Sequence, residues 1–545
     1  MPRTRTRLLP GAALAAGLLA ATAGCAQTAE GPEAADGGIL VYASGDAEPT
    51  CLDPHVGGNY PQALAATQFL ESLVSRDASG EIIPWLAESW KVSGDGLSWE
   101  FELRDGIEFT DGTPFDAEAV KTNIEHLQDP ETASSTGYLA VAKVASVEAV
   151  DAGTARFHLS APDSALLESL AQPWTAIQSP AGIARGTDAN CLAPIGTGPF
   201  VVEDWVKQDR IVFTRNDDYA SAPADAGHDG PAYLAGIEWR FIADAATRYA
   251  ALQAGEVDII DNAQPDTIAQ ADEAAGIVEL DAPRPGASNR IEFNGGQAPF
   301  DDVRVREAFV RAVDVDAAIA GLFFDTAARS SSPLSSAEPL AYGDASLFEV
   351  DPEAAGRLLD EAGWTDRDDD GTRMKDGARL ELRFPVSTNQ SVAAEQSLFE
   401  QLAAGAKTVG FDVRIELMDL SSWYAALAAN EYELVSAPYT KVGPDVLRIV
   451  YHSDSTAPAP SGYFANLAQV RDPEIDAALD AASASQGPDE RAALYEQVQQ
   501  RLLANYRLLP IYDQQNHFLH RAELTGVRAM PTVSTPTFLD AKLAG

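Results

Sequence analysis

The sequence predicts an α/β fold organised as two lobes, and three observations lead there. Helix-like and strand-like periodicities alternate along nearly the whole chain. The mature part, about 520 residues beyond an N-terminal leader, suffices for two to four domains of usual size. Residues 84–127 form a block of aromatic alternation followed by one capped helix, which reads as a small α/β unit in its own right.

The leader comes first. Arg3, Arg5 and Arg7 precede an apolar stretch over residues 8–23, and the small residues of Thr22-Ala23-Gly24-Cys25 follow. This order is that of a secretory signal, residues 1–24. The stretch is weakly apolar and shorter than the roughly 20 residues a bilayer-spanning helix needs. Cys25 in this setting resembles a lipobox cysteine, with Thr22 where Leu is usual; ordinary signal cleavage nearby is the alternative reading. Residues 25–38 are small, polar and acidic, which suits a tether.

Beyond the tether, residues 39–43 read as a first strand and residues 63–74 as helical, with Phe69, Leu70 and Leu73 on one face. Trp99, Phe101 and Leu103 alternate with Glu100, Glu102 and Arg104, the period of a half-buried strand. Asp105-Gly106 and Asp111-Gly112 mark turns, and Asp116 is placed to cap a helix carrying Val120, Ile124 and Leu127. Pro194 to Phe200 is a Gly/Pro-rich crossing, and Thr247 to Ala254 a helix stopped by Gly255. Later, Asp302 and Asp351-Pro352 open helices. Residues 380–384, 412–417, 432–436 and 508–512 read as strands, and residues 472–482 and 489–505 as helices.

Composition excludes several classes. A chain that is 46% hydrophobic and 22% charged is not disordered. A net charge of −44 repels phosphate backbones and anionic headgroups, so nucleic acid is excluded as a partner. With Cys25 set aside, Cys51 and Cys191 remain, an even pair that in an exported protein reads as a disulfide or as two buried thiols. No HExxH, GxSxG, P-loop or GxGxxG is present, no cofactor is expected, and the scattered histidines, with only His517 and His520 close in sequence, disfavour a metal centre. Asp366, Asp368 and Asp370 imitate the start of a calcium loop, but Gly377 stands where its bidentate Glu belongs, so a hairpin turn is expected.

The blocks from Leu86 to Trp90 and from Trp99 to Val120 resemble the signature of the peptide/nickel-type solute-binding proteins, extracellular solute-binding protein family 5. Gly196-Thr197-Gly198-Pro199-Phe200, Ala250 to Asp258, Pro299 to Ala308, and Asp351-Pro352-Glu353 through Trp364 follow in that family's order. The resemblance implies a periplasmic-binding-protein-like fold of the class II type, with an extra α/β subdomain inserted in the first lobe. Lobe I would comprise residues 39–76, 190–282 and 518–545, the insertion 77–189, and lobe II 283–517. It also implies a Cys51–Cys191 bond and peptide capture for ABC permease subunits, without catalysis; with the lipobox-like Cys25, the expectation is a monomer held by lipid to the outer face of the membrane.

The resemblance marks one site residue, and side-chain chemistry suggests the others. Gly443-Pro444-Asp445 resembles the place where peptide-binding members pair an Asp with the ligand ammonium, and a helix N-cap is the competing role for Asp445. Arg448 is set to meet a carboxylate or to sit exposed on its helix, and Trp423, Tyr424 and Tyr439 to wall the cleft or to pack in the core. Asn59, Tyr60 and Asn294 complete the candidates. An oligosaccharide ligand is the second reading, and a secreted hydrolase the remote one.

Overall fold

A computed structural model describes residues 34–35, 37–436 and 439–544. The leader and Cys25 lie outside the described residues, as does most of the tether.

The first strand expected from the sequence, Ile39–Ser44, is central to a seven-stranded sheet. Its two neighbours, Gly236–Phe241 and Ile259–Ile260, both run parallel to it, while the outer strands are antiparallel. Leu40 and Tyr42 face a core in which Tyr42 stacks on Trp239 with ring centroids 3.8 Å apart. Parallel strands covered on both faces explain the short apolar runs read at these positions.

The aromatic block builds a separate four-stranded antiparallel sheet, in the order Ala87–Val92, Ser98–Leu103, Thr154–Leu159 and Val144–Asp151. Trp99, Phe101 and Leu103 turn inward against the helix Ala117–Gln128, which presents Val120, Ile124 and Leu127. Asp116 caps that helix by accepting from Ala119 N at 2.9 Å.

The second lobe is built around Asn289–Phe293, flanked by Leu434–Ser436 and Leu508–Tyr512. A parallel pair, Glu381–Ser387 and Asp412–Met418, lies alongside through Glu433 N donating to Arg383 O at 3.1 Å. Helices Val303–Ala312, Pro352–Glu361, Ala393–Val409 and Pro488–Ala504 contribute to its core.

Two adjacent segments join the lobes. The strand Ile277–Pro283 runs on towards Asn289–Phe293, and Leu508–Tyr512 runs back into Gln515–Arg521. The pairs Pro283–Gln515 and Asn289–Tyr512 flank the crossing, and Arg284 N donates to Gln514 O at 2.9 Å between them. Away from the crossing, the inserted sheet's unit touches lobe II, where Ser164 N donates to Ser483 O at 2.9 Å and Arg491 pairs with Glu168 at 3.4 Å.

One expected helix is shorter than its periodicity suggests. The helix Tyr60–Ala66 stops early, and Leu73 precedes a strand, Val74–Arg76. The Gly196 and Gly198 crossing causes this: Phe69 O accepts from Gly198 N at 3.2 Å, and Gln68 O from Phe200 N at 3.1 Å. A Cβ on either glycine would meet the Phe69 backbone at 2.0 or 2.6 Å, so only glycine admits this approach. Packing with a distant segment thus overrides local helical preference.

Candidate functional site

Three parallel strands of lobe I end on one side of a cleft between the lobes. Their C-terminal ends deliver Gly45 and Asp46, Ala243 and Asp244, and Asn262. In open α/β sheets this is where ligands bind. Lobe II answers with Thr388 and Asn389 after Glu381–Ser387, with the start of helix Ala393–Val409, and with the helix Leu420–Ala428. The space enclosed is about 530 Å³, within the range of small-molecule sites.

Five of the sequence candidates line this cleft: Asn59, Tyr60, Trp423, Tyr424 and Tyr439. Asn59 also caps the helix Tyr60–Ala66, its side chain accepting from Gln62 N at 3.1 Å. Tyr60 takes a hydrogen bond from Asn516 at 2.6 Å on its hydroxyl, and its ring lies under the Arg284 guanidinium at 4.3 Å. Trp423, Tyr424 and Tyr463 form an edge-to-face run, with centroids 5.1 and 5.8 Å apart. The Trp423 indole nitrogen is buried with no hydrogen-bond partner among the described residues, and the buried Tyr439 hydroxyl lies against the Thr136 side chain.

The other three candidates do not line the cleft. Asp445 has 0% exposure; its carboxylate pairs with Lys441 at 3.1 Å and Arg448 at 3.0 Å, and accepts from Tyr495 at 3.4 Å and Ser483 at 3.5 Å. Burial alone would raise its carboxyl, but Arg448 and Lys441 outweigh that and hold it well below the usual range. The ammonium-binding role expected for Asp445 therefore gives way to an internal ion pair. The capping alternative gives way too, because the side chain makes no cap hydrogen bond. Arg448 is correspondingly neither exposed nor free for a ligand. Asn294 is buried and donates to Asn430 at 2.9 Å and to Tyr432 O at 3.0 Å, holding the neighbouring loop.

Sequence reasoning missed the ionisable residues that do line the cleft: Asp46, Asp244, Arg248, Arg284 and Glu395. Three of them serve the fold. Asp244 caps its helix through Thr247 N at 2.8 Å. Arg248 donates to the carbonyls of Ile242, Ala243, Asp261 and Asn262. Glu395 accepts from Asn289 at 2.7 Å, and its burial pushes the carboxyl up to about 7. Asp46 and Arg284 are engaged more lightly. Asp46 accepts from Asn262 at 3.0 Å, while burial and then the nearby Asp261 raise its carboxyl to about 7. Arg284 has the Thr440 hydroxyl as its side-chain hydrogen-bond partner, 2.9 Å from Nε and also reached by Nη2.

Asp53, His55 and His126, which sequence spacing did not join, bring ligand atoms within 4.8 Å of one another. Asp53 already accepts from His55 N, His126, Gln178 and Asn190, so this cluster ties lobe I to the inserted unit. Its neighbour Cys51 is bonded to Cys191, as the resemblance implied. The acidic run at Asp366–Asp370 is a hairpin turn, and Arg379 pairs with Asp368 where a cation would sit.

Among the described residues, no helix is long and apolar enough to cross a membrane. The family model of bacterial extracellular solute-binding proteins, family 5 (middle), matches residues 81–461. The chain is 30% identical to the glutathione-binding protein GsiB of Salmonella paratyphi A, over 91% of this chain and 92% of that protein. It is 27% identical to the nickel-binding periplasmic protein of Escherichia coli K12, covering 90% and 92%. Its fold matches the periplasmic binding protein DppA of Helicobacter pylori in complex with the peptide STSA. That match has a TM-score of 0.81 and 23% identity over 94% of this chain and 99% of that one. The chain belongs to the bacterial extracellular solute-binding proteins of family 5, a family of solute-binding proteins and not of enzymes.

Proposed function

We propose that this protein captures a short peptide or peptide-like solute between its lobes and delivers it to ABC permease subunits. It acts outside the cytoplasm as a monomer, anchored by lipid at Cys25. The observation that carries this reading is the interlobe cleft of about 530 Å³, walled by aromatic rings and lined by the ionisable groups Arg284 and Asp46. A peptide supplies side chains for the rings and terminal charges for the ionic groups. The ligands of GsiB and of DppA, glutathione and the peptide STSA, support the same solute class. A two-segment crossing suits rigid-body closure over a solute. An oligosaccharide would also stack on the rings, but the charged groups Arg284 and Asp46 in the cleft favour an ionic solute.

Native mass spectrometry of freshly purified protein tests the proposal. The expected result is one retained solute of peptide-like mass and composition. A retained neutral saccharide removes the peptide assignment. Cleavage products from added peptides would remove the binding-protein role.

A further inference from the structure

Arg284 stands out for what it lacks. The chain has 82 acidic residues against 38 Lys and Arg, so a guanidinium would be expected to find a carboxylate. Among the described residues, none lies within ion-pair distance of Arg284. Its side chain meets a hydroxyl, Thr440, and an aromatic face, Tyr60. Both partners fix the group without neutralising it. The Tyr60 ring lies under the guanidinium, and Thr440 occupies the Nε–Nη2 edge. The Nη1–Nη2 edge keeps its pair of donors, the geometry that takes a carboxylate through two parallel hydrogen bonds. Arg248 in the same cleft has no such freedom, since backbone carbonyls take its donors.

We infer that Arg284 receives a carboxylate of the solute, placed against the lobe crossing between Tyr60 and Thr440. This inference rests on the solute-binding reading above and narrows it to anionic or zwitterionic solutes. Burial disfavours the bare cation and pulls its pKa down, so an arriving carboxylate relieves that cost. Asp46, in the same cleft with one hydrogen-bond donor on its carboxylate, offers the matching place for a ligand ammonium. Arg284 lies in the segment joining the lobes, and Thr440 belongs to lobe II. A carboxylate held there bridges the site at its hinge end.

The test uses the mature full chain. Solute extracted from freshly purified wild type is weighed before and after methyl esterification. Trialanine and trialanine amide are then titrated by calorimetry into wild type, R284Q and T440V. Where trialanine gives no signal, the extracted solute and its methyl ester replace the pair. The inference expects an esterifiable solute and a free acid that binds wild type about ten- to hundredfold more tightly than its carboxyl-masked form. R284Q should lose about the same factor for the free acid and little for the masked form, and T440V should lose severalfold. A solute with no esterifiable group, or equal affinity for free acid and masked form in wild type, overturns the inference and leaves solute binding standing. A protein that yields no solute and binds no titrant overturns both. If R284Q fails to fold, T440V and the wild-type ratio of free acid to masked form still decide.

Discussion

Asp445 and Arg284 are both charged groups drawn away from bulk water, and their surroundings treat them in opposite ways. Asp445 is met by Lys441, Arg448, Tyr495 and Ser483, so charge and lone pairs are all answered from within the chain. Arg284 is met by one hydroxyl and one ring face, which orient it, and Asp46 attracts it across the cleft without reaching ion-pair distance. Buried charge alone therefore does not mark a binding residue. What separates the two is whether the fold has supplied the counter-charge. A carboxylate answered by two cations of its own chain holds parts of lobe II together, whereas an oriented group without an ion-pair partner awaits one from outside.

The largest expected effect comes from opening the closed cluster. Asp445→Ala leaves Lys441 and Arg448 buried without their acid and should cost about 3–5 kcal/mol, read by urea unfolding. Solute affinity per folded molecule should stay within about twofold, a difference of roughly 0.4 kcal/mol. Mild destabilisation with lost binding would return Asp445 to the site.

A second closed assembly, at Cys51–Cys191 and Asp53, gives the next two tests. The disulfide closes a separation of 140 residues, and the Cys51→Ser, Cys191→Ser double variant should lose about 2–5 kcal/mol. An unchanged melting temperature under reducing and oxidising conditions would contradict this. His55 beside it is fully buried, and burial pulls its imidazole down to about 4. A histidine with a lowered folded pKa contributes stability above its unfolded pKa, near 6.5, and loses it as pH falls towards 4. His55→Gln should therefore shrink the stability loss between pH 7 and pH 4 by about 3 kcal/mol. Identical pH profiles for variant and wild type would show that His55 does not titrate with unfolding.

The smallest effect belongs to the open site. Tyr60→Leu removes the ring face under Arg284, and solute affinity should fall by about 0.5–2 kcal/mol, measured by calorimetry. A larger loss of stability than of affinity would make Tyr60 a core residue first.

Much of the fold was legible because it rests on local signals. The alternation around Trp99, the caps at Asp116 and Asp351, and the stop at Gly255 all occur as read. The over-long helix at residues 63–74 was not, since its end is set by Gly196 and Gly198, far away in sequence. The site was half legible. Large amphipathic residues such as Tyr60 and Trp423 announce themselves by type. Arg284 does not: it sits between Pro283 and Pro285 in the crossing, with no periodicity to place it. Asp46 is one acid among 82 Asp and Glu. Asp445 misled for the complementary reason. Its loop suggested a site, and only packing shows Lys441 four residues before and Arg448 three residues after both turned onto it.

A crystal structure of the protein with its retained solute tests the contrast between the two charges most directly. A solute carboxylate within hydrogen-bond distance of the Arg284 guanidinium, with Asp445 still paired to Lys441 and Arg448, is the predicted result. A solute ammonium on Asp445, or a solute that leaves Arg284 untouched, would contradict it.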